Sequence, residues 1–176
     1  MKRMHVAFCA LMAALGTVIM AAGGLIPVAT YCSPLVASVL LLPVMSEHGE
    51  RWAWMTWAVT AALSLLLSID REAAFFYLFV GFYPMLRPRL DAGKTGFLRV
   101  LAKLAFFTLS LGTMYALLIW VLQLESLLAD FGDFSRWMSA AFFAALVLVM
   151  LIYDLALKRV QLYWLRILRP RLTRGR

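Results

Sequence analysis

Charge is scarce in this chain, and the residue types most often recruited for metal or nucleophilic chemistry are scarcer still. Charged side chains make up 15% of the 176 positions, and there are two histidines and two cysteines. From position 6 to position 45, forty consecutive residues carry no charge at all. A helix in a soluble domain must show water a polar side about every turn, so this run excludes an ordinary globular core. The active-site motifs that depend on His, Cys and Gly are missing too. There is no His-Glu-x-x-His, no Gly-x-Ser-x-Gly, no Walker loop and no Gly-rich dinucleotide turn. No enzymatic activity and no cofactor is assigned.

The few metal-capable residues do not assemble on paper. His5 and Cys9 lie four apart on one helical face, but zinc needs three or four ligands, and neither His48 nor Cys32 is expected to complete the set. No metal site is expected. A helix through the first run would put Cys9 and Cys32 near its opposite ends, far beyond the roughly 5 to 6 Å between Cα atoms that a disulfide spans. Both thiols are expected to be free.

What is present is apolar sequence in blocks. Hydrophobic residues account for 64% of the chain and the mean hydropathy is +0.87. The blocks cover 6–22, 29–45, 52–69, 73–86, 97–122 and 137–157. This pattern is that of an all-α polytopic membrane protein. A signal peptide would fit Lys2-Arg3 and the run that follows, but further apolar blocks come at once, so the first block is taken as a retained span. The fifth block is about 40 Å long at 1.5 Å per residue, against a hydrocarbon core of about 30 Å. The segment 34–45 alone would reach only about 18 Å, so residues 29–33 either join its helix or make it re-entrant.

Lys and Arg collect on the cytoplasmic side of membrane proteins, and that rule sets the topology. With six spans and both termini inside, fifteen of the seventeen basic residues lie inside, and Arg71 and Arg136 lie outside. Five spans would send the seven cations from Lys158 onward to the outside. The expected organisation is therefore a six-helix transmembrane domain over 1–157 and a basic, amphipathic cytoplasmic tail over 158–176. The net charge of +8 is read as loops and tail facing anionic lipid rather than nucleic acid. Trp52, Trp54 and Trp57 suit interfacial anchoring. In the tail, Leu162, Tyr163, Trp164, Leu165, Ile167 and Leu168 interleave with cations, which fits an interfacial helix attracted to anionic lipid or a docking surface for a cytoplasmic partner.

Ionisable residues inside a membrane usually mark a pathway. Lys103 and Asp154 are the deep candidates here, and they are expected to form a structural ion pair between the fifth and sixth spans. On the outer side three connections converge. The first carries Thr30, Tyr31 and Ser33, the second Asp70, Arg71 and Glu72, and the third Gln123 and Glu125. Together they could give a pocket its few polar groups at one face of the membrane.

Six spans in under 200 residues, both ends inside, the pair Ala10 and Ala14 in the first span and an apolar first external loop resemble the substrate-binding S component of energy-coupling factor transporters. The stretch Ser68-Ile69-Asp70-Arg71-Glu72-Ala73-Ala74 through Gly81-Phe82-Tyr83-Pro84 is similar to a bacterial branch of S-component-like proteins. The resemblance implies a vitamin or other small solute bound in an outward cavity under the first external loop. It also implies a transmembrane coupling subunit driven by two cytoplasmic ATPases. By position, Ala10 and Ala14 would contact the coupling subunit, and Thr30, Tyr31 and Ser33 would belong to the lid. The metal-binding N-terminal His of nickel and cobalt S components has no match in Met-Lys-Arg-Met-His, so a metal substrate is not expected. A non-transporting membrane scaffold, similar to cell-shape proteins of comparable size, would account for the sparsely charged core and basic tail as well.

Overall fold

Two prolines, Pro43 and Pro84, interrupt the second and fourth apolar blocks. The computed structural model describes residues 2–25, 29–92, 96–120, 136–164 and 166, and among these every regular element is helical. The helices are α1 (Lys2–Gly23), α2 (Cys32–Val39), α3 (Leu41–His48), α4 (Glu50–Leu67), α5 (Arg71–Val80), α6 (Tyr83–Asp91), α7 (Gly96–Trp120) and α8 (Arg136–Tyr163). A proline ring collides with the carbonyl four residues earlier and offers that carbonyl no N–H. Pro43 acts in this way on Val39, where α2 ends, and Pro84 on Val80, where α5 ends. Neither break turns the chain back. Leu40 keeps right-handed helical angles, so α2 and α3 run on as one kinked apolar helix, Cys32–His48. Pro34 is tolerated because it lies in the first turn of α2.

The second apolar block is thus settled as helix from Cys32 onward, and it continues past Met45 to His48. Its length is about 26 Å at 1.5 Å per residue. Gly49 then turns the chain into α4 with φ +90, a left-handed value that an L side chain rarely adopts.

The chain divides into two compact units, Met1–Pro88 with Tyr153–Arg176, and Arg89–Ile152. In the first, α1 packs on α2, α3 and α4, while α5 packs on α2 and α4. Two clusters fill it. Cys9, Leu41, Val44, Ala53 and Met85 form one, and Met20, Ala37, Ala61, Ala73 and Tyr77 the other. Trp54 and Trp57 are half-buried and close on Phe82, with ring centroids 5.8 and 5.5 Å away. The rings expected as interfacial anchors therefore also seal the bend between α5 and α6.

Besides these apolar clusters the interior holds several hydroxyls, while large apolar side chains cover much of the outside. Thr17, Ser38, Thr56, Thr60 and Ser64 are buried, whereas Val6, Leu11, Leu15, Val18, Met55, Val59 and Leu66 are exposed. Thr17, Thr56 and Thr60 return their hydroxyl protons to the carbonyl four residues earlier, at 2.8 to 2.9 Å, so these hydroxyls are satisfied within their own helices. Small and hydroxyl-bearing residues let helix backbones approach closely when the outer surface is left to apolar side chains.

Among the described residues two helices, His5–Gly23 and Gly96–Leu117, are long and apolar enough to cross a membrane. The second, third and fourth expected passes fall short of that measure for local reasons. The second and fourth are kinked at Leu40 and at Gly81-Phe82, and α4 opens on Glu50-Arg51 and carries three weakly apolar tryptophans. Helix α8 runs without a break through Leu157 to Tyr163, so the first turns of the expected tail continue the last long helix.

Candidate functional site

The turn between α4 and α5 begins with a capping residue. Asp70 has extended angles, and its Oδ1 accepts the Ala73 N–H at 3.2 Å, filling one of the bonds a helix N-terminus leaves open. Ser68 steadies the turn by donating from Oγ to the Asp70 carbonyl at 3.1 Å. Glu72 adds a second carboxylate in the first turn of α5, where the helix dipole favours negative charge.

Both carboxylates also receive a hydroxyl from the connection between α1 and α2. Thr30 Oγ1 donates to Asp70 Oδ2 at 2.7 Å, and Tyr31 Oη donates to Glu72 Oε1 at 2.5 Å. Hydroxyl-to-carboxylate bonds are among the shorter and stronger ones, because the acceptor is ionised. The Tyr31 ring stands edge-on to Phe76, with centroids 5.5 Å apart, which fixes the side chain that makes the second bond.

Two glycines allow the connection to lie so close. A Cβ on Gly23 would meet the Ser33 Cβ at 2.3 Å, and one on Gly24 would meet the Asp70 backbone nitrogen at 3.3 Å. Ser33 is consequently buried, and its Oγ has no hydrogen-bond partner. The Ser64 hydroxyl is likewise buried without a hydrogen-bond partner among the described residues, whereas the buried Tyr77 hydroxyl faces that of Thr60. Ser64 lies one turn from Ala61 of the inner cluster, and Tyr77 belongs to that cluster.

Of the outer residues expected from sequence, Thr30, Tyr31, Asp70 and Glu72 meet directly, and Ser33 is buried beside Gly23. Arg71 points to solvent and Cys32 is an exposed free thiol. Gln123 and Glu125 lie outside the described residues. Ala10 and Ala14 are both exposed on α1, on the same side as Leu11 and Val18.

The opposite end of the first unit is organised by buried charge. Asp154 Oδ1 accepts the Tyr83 hydroxyl at 2.7 Å and lies 2.9 Å from Arg87 Nε as an ion pair, while Lys158 Nζ is 3.9 Å from Oδ2. Arg87 also donates from Nη1 to Gln161 Oε1 at 3.1 Å. One turn along, the Tyr153 and Ser38 hydroxyls share a hydrogen bond that ties α8 to α2. In the second unit Lys103 Nζ lies 2.8 Å from Asp91 Oδ1, with Arg99 at 3.5 Å. The two charges expected to pair with each other, Lys103 and Asp154, therefore each have an ion pair within their own unit. The partners Tyr83 and Arg87 were not foreseen, although their i, i+4 spacing puts them on one helical face.

The structure also corrects the placement of His48. It lies against His5, with their Nδ1 atoms 2.8 Å apart, and the His5 ring stacks toward Trp52 with centroids 6.3 Å apart. A hydrogen bond between two Nδ1 atoms requires that one carry the proton and the other accept it. No group of three or more metal-capable side chains forms among the described residues. Comparison with protein-family models, with curated proteins and with solved structures finds no match.

Proposed function

We propose that this chain is the substrate-binding membrane subunit of an importer of the energy-coupling factor type, with six spans and both termini in the cytoplasm. The observation that carries the reading is the connection between α1 and α2. Its residues Thr30 and Tyr31 reach the start of α5 through Thr30–Asp70 and Tyr31–Glu72, at the end of the bundle that the charge pattern assigns outside, and Ser33 is buried beside them against Gly23. Such an arrangement suits a cover over a site for a small solute such as a vitamin. The exposed side of α1 at Ala10 and Ala14 suits close approach by a transmembrane coupling subunit, itself driven by cytoplasmic ATPases. The basic residues from Lys158 onward suit anionic lipid at the inner surface.

The test is ligand stabilisation of the purified chain with riboflavin, thiamine and biotin as probes. A ligand at a hundred times its Kd adds about 2.7 kcal/mol to apparent stability, which melting would register as a rise of several degrees. Co-purification with a coupling module, lost in Ala10→Trp, tests the partner face. The alternative reading, a non-transporting membrane scaffold, draws on the paired state of the buried charges Arg87, Lys103 and Asp154. It is favoured if no probe shifts the melt and Ala10→Trp changes neither growth nor complex formation.

A further inference from the structure

We propose that His5 and His48 form a proton-sensitive clamp. The two rings hold the start of α1 to the end of α3 while at most one of them is charged, and they part when both are. The pair lies at the other end of α1 from Gly23 and needs neither solute nor coupling subunit, so it stands apart from the carrier reading.

The contact itself sets the proton count. The Nδ1 atoms are 2.8 Å apart, a hydrogen bond that exists only if one carries a proton and the other offers a lone pair. A neutral pair satisfies this with one ring protonated on Nδ1 and the other on Nε2. One added proton, on the Nε2 of the donor ring, leaves the bond in place and makes it charge-assisted, hence stronger. A second added proton has only the acceptor Nδ1 to go to. It removes the lone pair and sets two cations against each other, so the contact is lost.

Local fields decide which ring is the donor. His48 stands in the last turn of α3, where the helix dipole favours a cation, and His5 in the first turn of α1, where the dipole disfavours one. Neighbouring charges act in the same sense. Lys2 and Arg3 precede His5, whereas Glu47 precedes His48 and Glu50 opens α4. Of the helices packed on α1 and α3, α2 carries no charged side chain, and α4 brings Glu50 and the exposed Arg51 to this end. Helix α6 reaches the adjoining cluster through Met85, and its Arg87 is paired with Asp154. The first proton therefore goes to His48, and His5 accepts.

Two aromatic rings orient the imidazoles. Phe8 stands edge-on to His48 with centroids 5.1 Å apart, and Trp52 lies nearly parallel to His5 at 6.3 Å. Both imidazoles are half-buried, so water reaches them with protons. Cys9, one turn on from His5, is buried in a cluster with Leu41 and Val44 of α3, and parting of the clamp loosens the start of that interface. The direction with pH follows from counting. As pH falls through the range where imidazole titrates, an unfolded chain takes up two protons on its histidines and the clamped chain takes up one, so stability declines toward about pH 5. The chain has two histidines in all, and no other side chain ordinarily changes charge in that range.

Histidine-selective nitrogen-15 labelling of the full chain in detergent therefore gives a spectrum of two imidazoles. At about pH 8 the clamp predicts one ring protonated on Nδ1 and the other on Nε2. On acidification the pair should take up its two protons at proton concentrations at least about tenfold apart, His48 first. His5→Gln keeps an acceptor but cannot be charged. It should leave His48 with a single step, and its melting temperature should fall less than half as far as that of the parent between about pH 8 and pH 5. His5→Phe keeps a ring but no acceptor, and should abolish the Nδ1–H signal. Two rings that both carry their proton on Nε2 at the higher pH would overturn the clamp, as would rings that titrate together and are indifferent to each other's replacement. Should either variant fail to accumulate, the tautomers and the separation of the two steps in the unaltered chain are enough to sustain or overturn it.

Discussion

The two ends of the first unit use carboxylates in opposite ways. At one end Asp70 and Glu72 are half-buried and are held by neutral hydroxyls from Thr30 and Tyr31. At the other, Asp154 is buried and faces a guanidinium, an ammonium and a phenol at once. Breaking the first set returns anions to water. Breaking the second leaves Arg87, itself buried, without its anion in a low-dielectric interior, a loss that costs several kcal/mol. Losing a partner is therefore less costly at one end than at the other, and the difference lies in burial rather than in residue type.

The largest expected effect tests the closed end. Asp154→Asn should destabilise the chain by about 3 to 5 kcal/mol, read as a large drop in melting temperature in detergent. Replacing both Arg87 and Asp154 by Met and Leu should recover most of that loss. If Asp154→Asn melts like the unaltered chain, the contrast between the ends fails.

Next is the close approach of Gly23 to Ser33. Gly23→Ala sets a methyl 2.3 Å from the Ser33 Cβ and should cost about 1 to 3 kcal/mol by overpacking. Combining it with Ser33→Gly should restore much of the stability, and non-rescue would show that the strain lies elsewhere in the connection. A smaller effect is expected at Asp70. Asp70→Ala removes both the α5 cap and the Thr30 acceptor and should cost about 1 kcal/mol, whereas Asp70→Asn should keep most of the cap. The smallest concerns Arg71, which is exposed. Arg71→Ala should stay within about 0.5 kcal/mol of the parent, so any loss of ligand stabilisation in that variant reports on binding rather than folding.

Much of this contrast could be read before the structure. The apolar blocks correspond to helices because their length and lack of charge leave few alternatives, and the convergence of Thr30, Tyr31, Asp70 and Glu72 could be argued from which loops share a face. Other features needed the fold. His5 and His48 are 43 positions apart, and no periodicity relates them. Arg87 looked like one more cytoplasmic cation, yet it is the buried partner of Asp154, because the Pro84 break carries Tyr83 and Arg87 inward.

The sequence by itself determined the helical character, the apolar outer surface and the uneven distribution of charge, since each follows from local composition and chain length. The tertiary structure alone decided which carboxylate meets which donor and how deeply. Those depend on helices brought together from distant parts of the chain, where the close approach at Gly23, or one turn of helix after Pro84, decides between a half-buried bond and a buried ion pair.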